Sequence, residues 1–286
     1  MQTKQKIRIA GYQQWRDLTF LHWRVSAESL RPGIPNSLEI EEFDGTAWLG
    51  LVPFSMQRIR PWWSPAVPGI SWFLETNLRT YVRSRSGESG VWFFSLVANS
   101  RVAVAVARTV WNLPYYFARL ILERPDSPAA EAPAQRIVAY RGLSRRNPSA
   151  EYDIGIAVDR NETPAVALPG SLEEFLVERY TLFAQGRRQE PFSGRVHHPP
   201  YTFRTARVIC CRETLTASII GPTATRRPPD HVVFSDGVDV TVSPLTISGR
   251  SPTILEPLTK PPWPRCFESG RDARKSDEAT HVVEER

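Results

Sequence analysis

Apolar and polar positions along much of this chain alternate with the two-residue period of strands, and only two stretches follow the 3.6-residue period of a helix of any length. WRDLTFLHWRV (15–25) reads as a strand, after which Ser26 caps a brief helical turn ended by the Pro32–Gly33 and Pro35 breakers. Phe43, Asp44 and Gly45 mark a turn, followed by TAWLGLVPFSM (46–56), a buried strand expected to end at Pro53, and by the rigid aromatic loop PWWSPAVPG (61–69). Two long strands come next, SWFLETNLRTYV (71–82) and GVWFFSLVA (90–98), joined by the hairpin loop SRSGESG. The second is apolar on both faces, which puts it in the middle of a sheet covered on both sides. SRVAVAVARTV (100–110) is apolar nearly all round and predicts a short buried helix. SLEEFLVERY (171–180) predicts another, opened by a capping box of Ser171 and Glu174. Strands resume near Thr181, over 201–211 and over 231–242. Many strands, few short helices and 25 prolines define a mainly β class with short helices, α+β in the broad sense.

The pattern also divides the chain. Residues 1–9 read as an N-terminal arm, 10–247 as one folded domain, and 248–286 as a disordered tail, because that last stretch is rich in Pro, Ser and charge without periodicity. The segment PDSPAAEAPAQ (125–135) is an excursion within the domain. With 286 residues, 41% of them hydrophobic, the chain can bury a sizeable core. Its longest apolar runs, 91–98 and 102–107, fall well short of the roughly 18 residues that span a bilayer. The N-terminus lacks the apolar segment of a secretory signal. A cytoplasmic protein without a membrane partner is expected. The net charge of +6 is spread along the chain among 30 acidic residues, which reads as a solvated surface and leaves no nucleic-acid partner in view. The three cysteines, Cys210, Cys211 and Cys266, include a vicinal pair with poor disulfide geometry and no C-x-x-C spacing. His197 and His198 point to opposite faces of an extended chain, and His22 shares a strand face with Phe20 and Arg24, so no metal site is expected and no cofactor is implied.

Two features carry candidate chemistry. In the strand that holds Glu75, side chains alternate, so Glu75, Asn77, Arg79 and Tyr81 share one face while Thr76, Leu78, Thr80 and Val82 share the other. A polar and ionisable row on a strand flanked by apolar strands is unusual. Arg79 could hold a carboxylate or phosphate bidentately, and Glu75 could act as a general base or as the partner of Arg79; an ion pair on a solvated face is the alternative. Because a lone buried arginine is costly, Arg79 is expected to pair with Glu75 or with a bound anion. The second feature is a gap. The only lysines are Lys4, Lys6, Lys260 and Lys275, so nothing between Ile7 and Thr259 can supply a primary side-chain amine.

Several segments in order, FDGTAWLGLVPFSM (43–56), FLETNLRTYV (73–82), GVWFFSLVANS (90–100), ARTVWNLPYYFA (107–118), VHHPPY (196–201) and DGVDV (236–240), resemble the YqjF-like family of uncharacterised bacterial proteins over roughly residues 10 to 245. That family is similar to acetoacetate decarboxylase. The resemblance implies a curved β barrel around a central pocket, with the face of Glu75, Asn77 and Arg79 turned into it. In the decarboxylase a motif R-x-x-W-G-x-P-K-K carries a lysine that forms a Schiff base with a β-keto acid. Here Arg108, Trp111 and Pro114 keep the spacing, Asn112 replaces the glycine, Tyr115 and Tyr116 replace the two lysines, and Glu75 matches a glutamate of the preceding strand. The phenols could hold a carbonyl or hydroxyl, and aromatic packing explains them equally well. Imine-based decarboxylation is therefore not expected. The expected function is binding of a small organic anion through Glu75, Asn77, Arg79, Arg108, Tyr115 and Tyr116. A lyase or hydratase using Glu75 as acid or base on a keto or hydroxy acid is an alternative, and a non-catalytic interaction module using the PWWSP loop and the tail is another.

Overall fold

A computed structural model describes residues 9–110, 113–124, 135–144, 150–184, 191–221, 227–244 and 246–247. The predicted tail, nearly all of the arm and of the 125–135 excursion, and all four lysines lie outside the described residues. The strands are β1 (Gly11–Val25), β2 (Leu38–Ile40), β3 (Ala47–Pro61), β4 (Phe73–Ser84), β5 (Ser89–Ala98), β6 (Tyr115–Phe117), β7 (Arg119–Glu123), β8 (Gln135–Ser144), β9 (Ala150–Asp159), β10 (Thr181–Ala184), β11 (Phe192–His197), β12 (Arg204–Glu213), β13 (His231–Val242) and β14 (Thr246–Ile247). The helices are α1 (Ala27–Leu30), α2 (Arg101–Val110), α3 (Leu172–Val177) and α4 (Ala217–Ile220). None of the helices is long and apolar enough to cross a membrane.

Seven strands close on themselves in the order β1-β3-β4-β5-β10-β11-β13, the last pairing back to β1. All neighbours in this ring are antiparallel except β5 and β10. The chain is thus mainly β, with its sheet curved into a ring. From β13 the sheet continues outward through β12, β9, β8 and β7.

Strand alternation sorts the core into two layers. Phe20, Val52, Phe54, Leu96, Tyr115 and Val240 belong to one buried cluster, within the ring. Leu21, Leu49, Leu51, Leu78, Val82, Ile154 and Ile156 belong to the other, where β8 and β9 pack on the ring's outer face. β4 supplies both: its even-numbered residues face β9, and the Thr76 and Tyr152 hydroxyls meet at 2.5 Å. Asp17, in the left-handed region (φ 55°), fixes the outer layer further. Its carboxylate pairs with Arg124 and Arg136, and its carbonyl accepts from the Tyr140 hydroxyl.

Four local expectations change. β3 runs through Pro53, which pairs with Thr76, to Pro61. The proline is tolerated because β1 and β3 lose register between Arg16 and Leu21, so its missing N–H falls where no ladder bond is needed. Helix α2 is amphipathic: Val104 and Ala107 are buried while Arg101, Val102 and Arg108 are exposed. α3 stops at Val177, and its capping box is half formed. Ser171 accepts the Glu174 N–H at 3.2 Å, but the Glu174 carboxylate takes the Gly170 N–H instead. Finally, β7, β8 and β9 have no counterpart in the sequence reading.

Candidate functional site

The ring encloses a cavity of about 160 Å³. Most of its wall is apolar, from residues such as Trp15, Val52, Phe54, Phe93, Leu96 and Val196. Polar side chains enter from several elements, among them Gln13, Tyr115, Arg179, Thr181, Tyr201 and Ser243, and three come from one strand. The odd-numbered side chains Glu75, Asn77 and Arg79 of β4 all line the cavity, and all three are buried.

Glu75 lies at one end. Its Oε2 accepts the Tyr115 hydroxyl at 2.8 Å. Burial raises its pKa to about 7, against the opposing effect of that hydrogen bond. Burial, then the neighbouring Glu75, hold the Tyr115 phenol well above its ordinary value. β6 makes this contact possible by pairing in parallel with the second half of β5, Tyr115 beside Leu96. Its alternation sends Tyr115 inward and leaves Tyr116 39% exposed, so Tyr116 does not reach the cavity. Arg108 is also excluded, because α2 turns its small apolar residues inward and Arg108 outward. Trp111 and Asn112 of the same motif lie outside the described residues.

Arg79 lies four residues along β4, roughly 13 Å away at strand spacing. It is 9% exposed, yet it makes no ion pair among the described residues. The expected pairing with Glu75 does not occur, since four residues of extended chain separate the two groups. One guanidinium nitrogen, Nη2, donates to the Leu176 carbonyl at 3.0 Å, while Nε is buried without a partner. The cation otherwise rests over the rings of Phe20 and Tyr81, 5.4 and 5.7 Å from their centroids. Gly50 leaves it room: a Cβ there would come within 3.4 Å of the Arg79 Cγ and within 3.0 Å of the His22 ring.

Behind Arg79 a buried hydrogen-bond chain holds the wall in place. The Leu176 carbonyl also accepts the Tyr81 hydroxyl at 2.7 Å. The Tyr81 oxygen meets His22 Nε2 at 2.8 Å, and His22 Nδ1 meets His231 Nδ1 at 3.2 Å. Since Tyr81 spends its proton on Leu176, His22 donates to it from Nε2. Burial, then the neighbouring His231 and Arg79, keep His22 well below its ordinary value, and so neutral.

A second arginine, Arg179, lines the same end, and the sequence reading missed it. Its carboxylate partner is Glu41, which accepts from it at 2.8 Å and also pairs with Arg83, and its guanidinium stacks over Phe175. Asn77 sits between the ends with its Oδ1 buried and unpartnered. Among the described residues no group of acidic, histidine or cysteine side chains could hold a metal.

The DUF2071 family model, described as uncharacterized conserved proteins, matches residues 12–239. The chain belongs to the DUF2071 family. It is 33% identical over 204 residues to the uncharacterized protein YqjF of Bacillus subtilis (strain 168), spanning 71% of this chain and 79% of that one. Among solved structures it is similar to an acetoacetate decarboxylase-like enzyme from Sphingomonas wittichii RW1, with TM-score 0.58, 13% identity, and 84% and 94% of the two chains covered. It is also similar to the acetoacetate decarboxylase of Legionella pneumophila subsp. pneumophila str. Philadelphia 1, with TM-score 0.56, 12% identity, and 86% and 92% covered. The enduracididine biosynthesis enzyme MppR complexed with pyruvate matches with TM-score 0.54 at 14% identity, over 85% of this chain and 92% of that one. These likenesses establish the fold.

Proposed function

We propose that this protein binds a small organic anion inside the ring, with Arg79 as its counter-ion. The observation that carries the reading is a buried guanidinium that lines a cavity and has no carboxylate partner among the described residues. Burying an unpaired charge costs several kcal/mol, about 3–5 when a partner is removed from a buried pair, and an anionic occupant offsets that cost. Asn77 and Tyr201, which also face the cavity, offer it hydrogen bonds. Native mass spectrometry of freshly purified protein tests the proposal: a small anion should accompany the wild type and be missing from Arg79→Met. Equal small-molecule content in the two proteins, or none in either together with no response to added carboxylates, would refute it.

A second reading, acid–base chemistry on a bound keto or hydroxy acid, is favoured by Glu75, whose pKa near 7 suits proton transfer at neutral pH. Its test is turnover of a keto- and hydroxy-acid panel by the wild type but not by Glu75→Gln. Either way, the lysine-free span from Ile7 to Thr259 supplies no amine for an imine.

A further inference from the structure

We infer that the occupant is a monocarboxylate of about ten non-hydrogen atoms in all, with an apolar body, its carboxylate on Arg79 and its far end beside Glu75, Tyr115 and helix α2. The inference rests on the anion-binding reading and names the ligand class for that site.

Charge sets the headgroup. Of the two arginines that line the cavity among the described residues, Arg179 has a carboxylate partner in Glu41, which also pairs with the half-exposed Arg83, and Arg79 has none. One carboxylate on the occupant therefore supplies Arg79 with the partner it lacks. A second carboxylate would lie against apolar wall or against Glu75, where it would be desolvated without a counter-ion, or repelled.

The wall sets the body. Along the row from Arg79 to Glu75 the neighbouring strands present Val52, Phe54, Phe93 and Leu96, with Asn77 the polar side chain of β4 between the ends, and the lining also includes Gln13, Thr181, Tyr201 and Ser243. An apolar chain there is favoured at roughly 25 cal/mol per Å² removed from water. Length agrees with volume. The two ends of the row are roughly 13 Å apart along the strand. A cavity of 160 Å³ has room for on the order of ten water-sized groups.

Helix α2 closes the far end. The chain turns into it directly after β5, where Asn99 Oδ1 accepts the Leu74 N–H at 2.7 Å beside Glu75, and Ala103, Val106 and Ala107 line the cavity from it. The Arg79 end is closed by Val177 and Arg179, which follow Leu176. A two- or three-carbon acid held on Arg79 would leave the α2 end filled only by water against apolar side chains.

Isothermal titration calorimetry on the full chain tests this with octanoate, 3-phenylpropionate, pyruvate, succinate and 1-octanol. Octanoate and 3-phenylpropionate should bind at least about tenfold more tightly than the other three. Arg79→Met should reduce octanoate to the level of octanol. Ala103→Trp, which fills the α2 end, should weaken octanoate by at least about tenfold and leave pyruvate unchanged. Should Ala103→Trp not fold, a chain-length series on the wild type replaces it: affinity should rise from butanoate to octanoate and fall again by hexadecanoate. Pyruvate or succinate binding as tightly as octanoate, with the binding lost in Arg79→Met, would overturn the ligand class while leaving the anion site standing. Octanoate binding equally to wild type and Arg79→Met, or no carboxylate binding at all, would overturn both.

Discussion

Glu75 and Arg79 share a strand face and a cavity but not an ion pair, and their substitutions should therefore behave differently. Glu75 has an ordinary pKa of 4.5 and a buried value of about 7, so the folded protein holds its proton more tightly than the unfolded chain does. The stability its neutral form provides is complete below pH 4.5 and is lost as the pH rises through 7. By linkage that loss is roughly 3 kcal/mol. Glu75→Gln, which keeps an acceptor for the Tyr115 hydroxyl without the charge, should melt like the wild type below pH 4.5, increasingly above it as the pH rises from 4.5 to 7, and by a constant margin beyond that. A constant difference across that range in a melting series would show that Glu75 is not buried as an acid. Arg79 is buried with no carboxylate partner among the described residues, so Arg79→Met should leave the ligand-free protein as stable as the wild type or more so. Marked destabilisation in chemical denaturation would mean that Arg79 has a structural partner.

The elements show why part of this was legible in the sequence. The row on β4 could be read because strand alternation is local, and one turn of that logic separates Glu75, Asn77 and Arg79 from Thr76 and Leu78. The choice between Tyr115 and Tyr116 also follows alternation, but only once β6 is known to pair with β5. Arg179 could not be found that way, because it reaches the cavity from the end of α3 a hundred residues downstream and its partner Glu41 lies on another segment. β8 and β9 were hidden by their glycines. A Cβ at Gly142 would strike the ring of Tyr152, and one at Gly155 would crowd the Cys210 sulfur, so both glycines make way for large neighbours and break the strand pattern. Arg108 was misplaced because the likeness to the decarboxylase motif was extended along a helix whose outward face is solvated. The outer layer can be tested at the contact between Thr76 and Tyr152. Thr76→Val should cost about 1–3 kcal/mol in denaturant unfolding, the cost of stranding a buried hydroxyl. No loss would mean that β9 does not seat on β4 as described.

At the scale of the whole molecule, a ring of strands like that of acetoacetate decarboxylase surrounds a cavity to which Tyr115, and no lysine among the described residues, contributes. Borohydride treatment in the presence of acetoacetate should therefore leave residues 7–259 unmodified when the protein is mapped by peptide mass spectrometry, since that span holds no lysine. What the described residues place at the cavity is a guanidinium without a carboxylate partner at one end, a glutamate with its pKa raised to about 7 at the other, and a largely apolar wall between them. The most direct measurement of that arrangement is a crystal structure with 6-bromohexanoate, using the anomalous signal of bromine to fix the ligand's direction. The bromine should lie inside the ring next to Ala103 and Tyr115, with the carboxylate on Arg79. A bromine found only outside the ring, or a carboxylate bound away from Arg79, would contradict it.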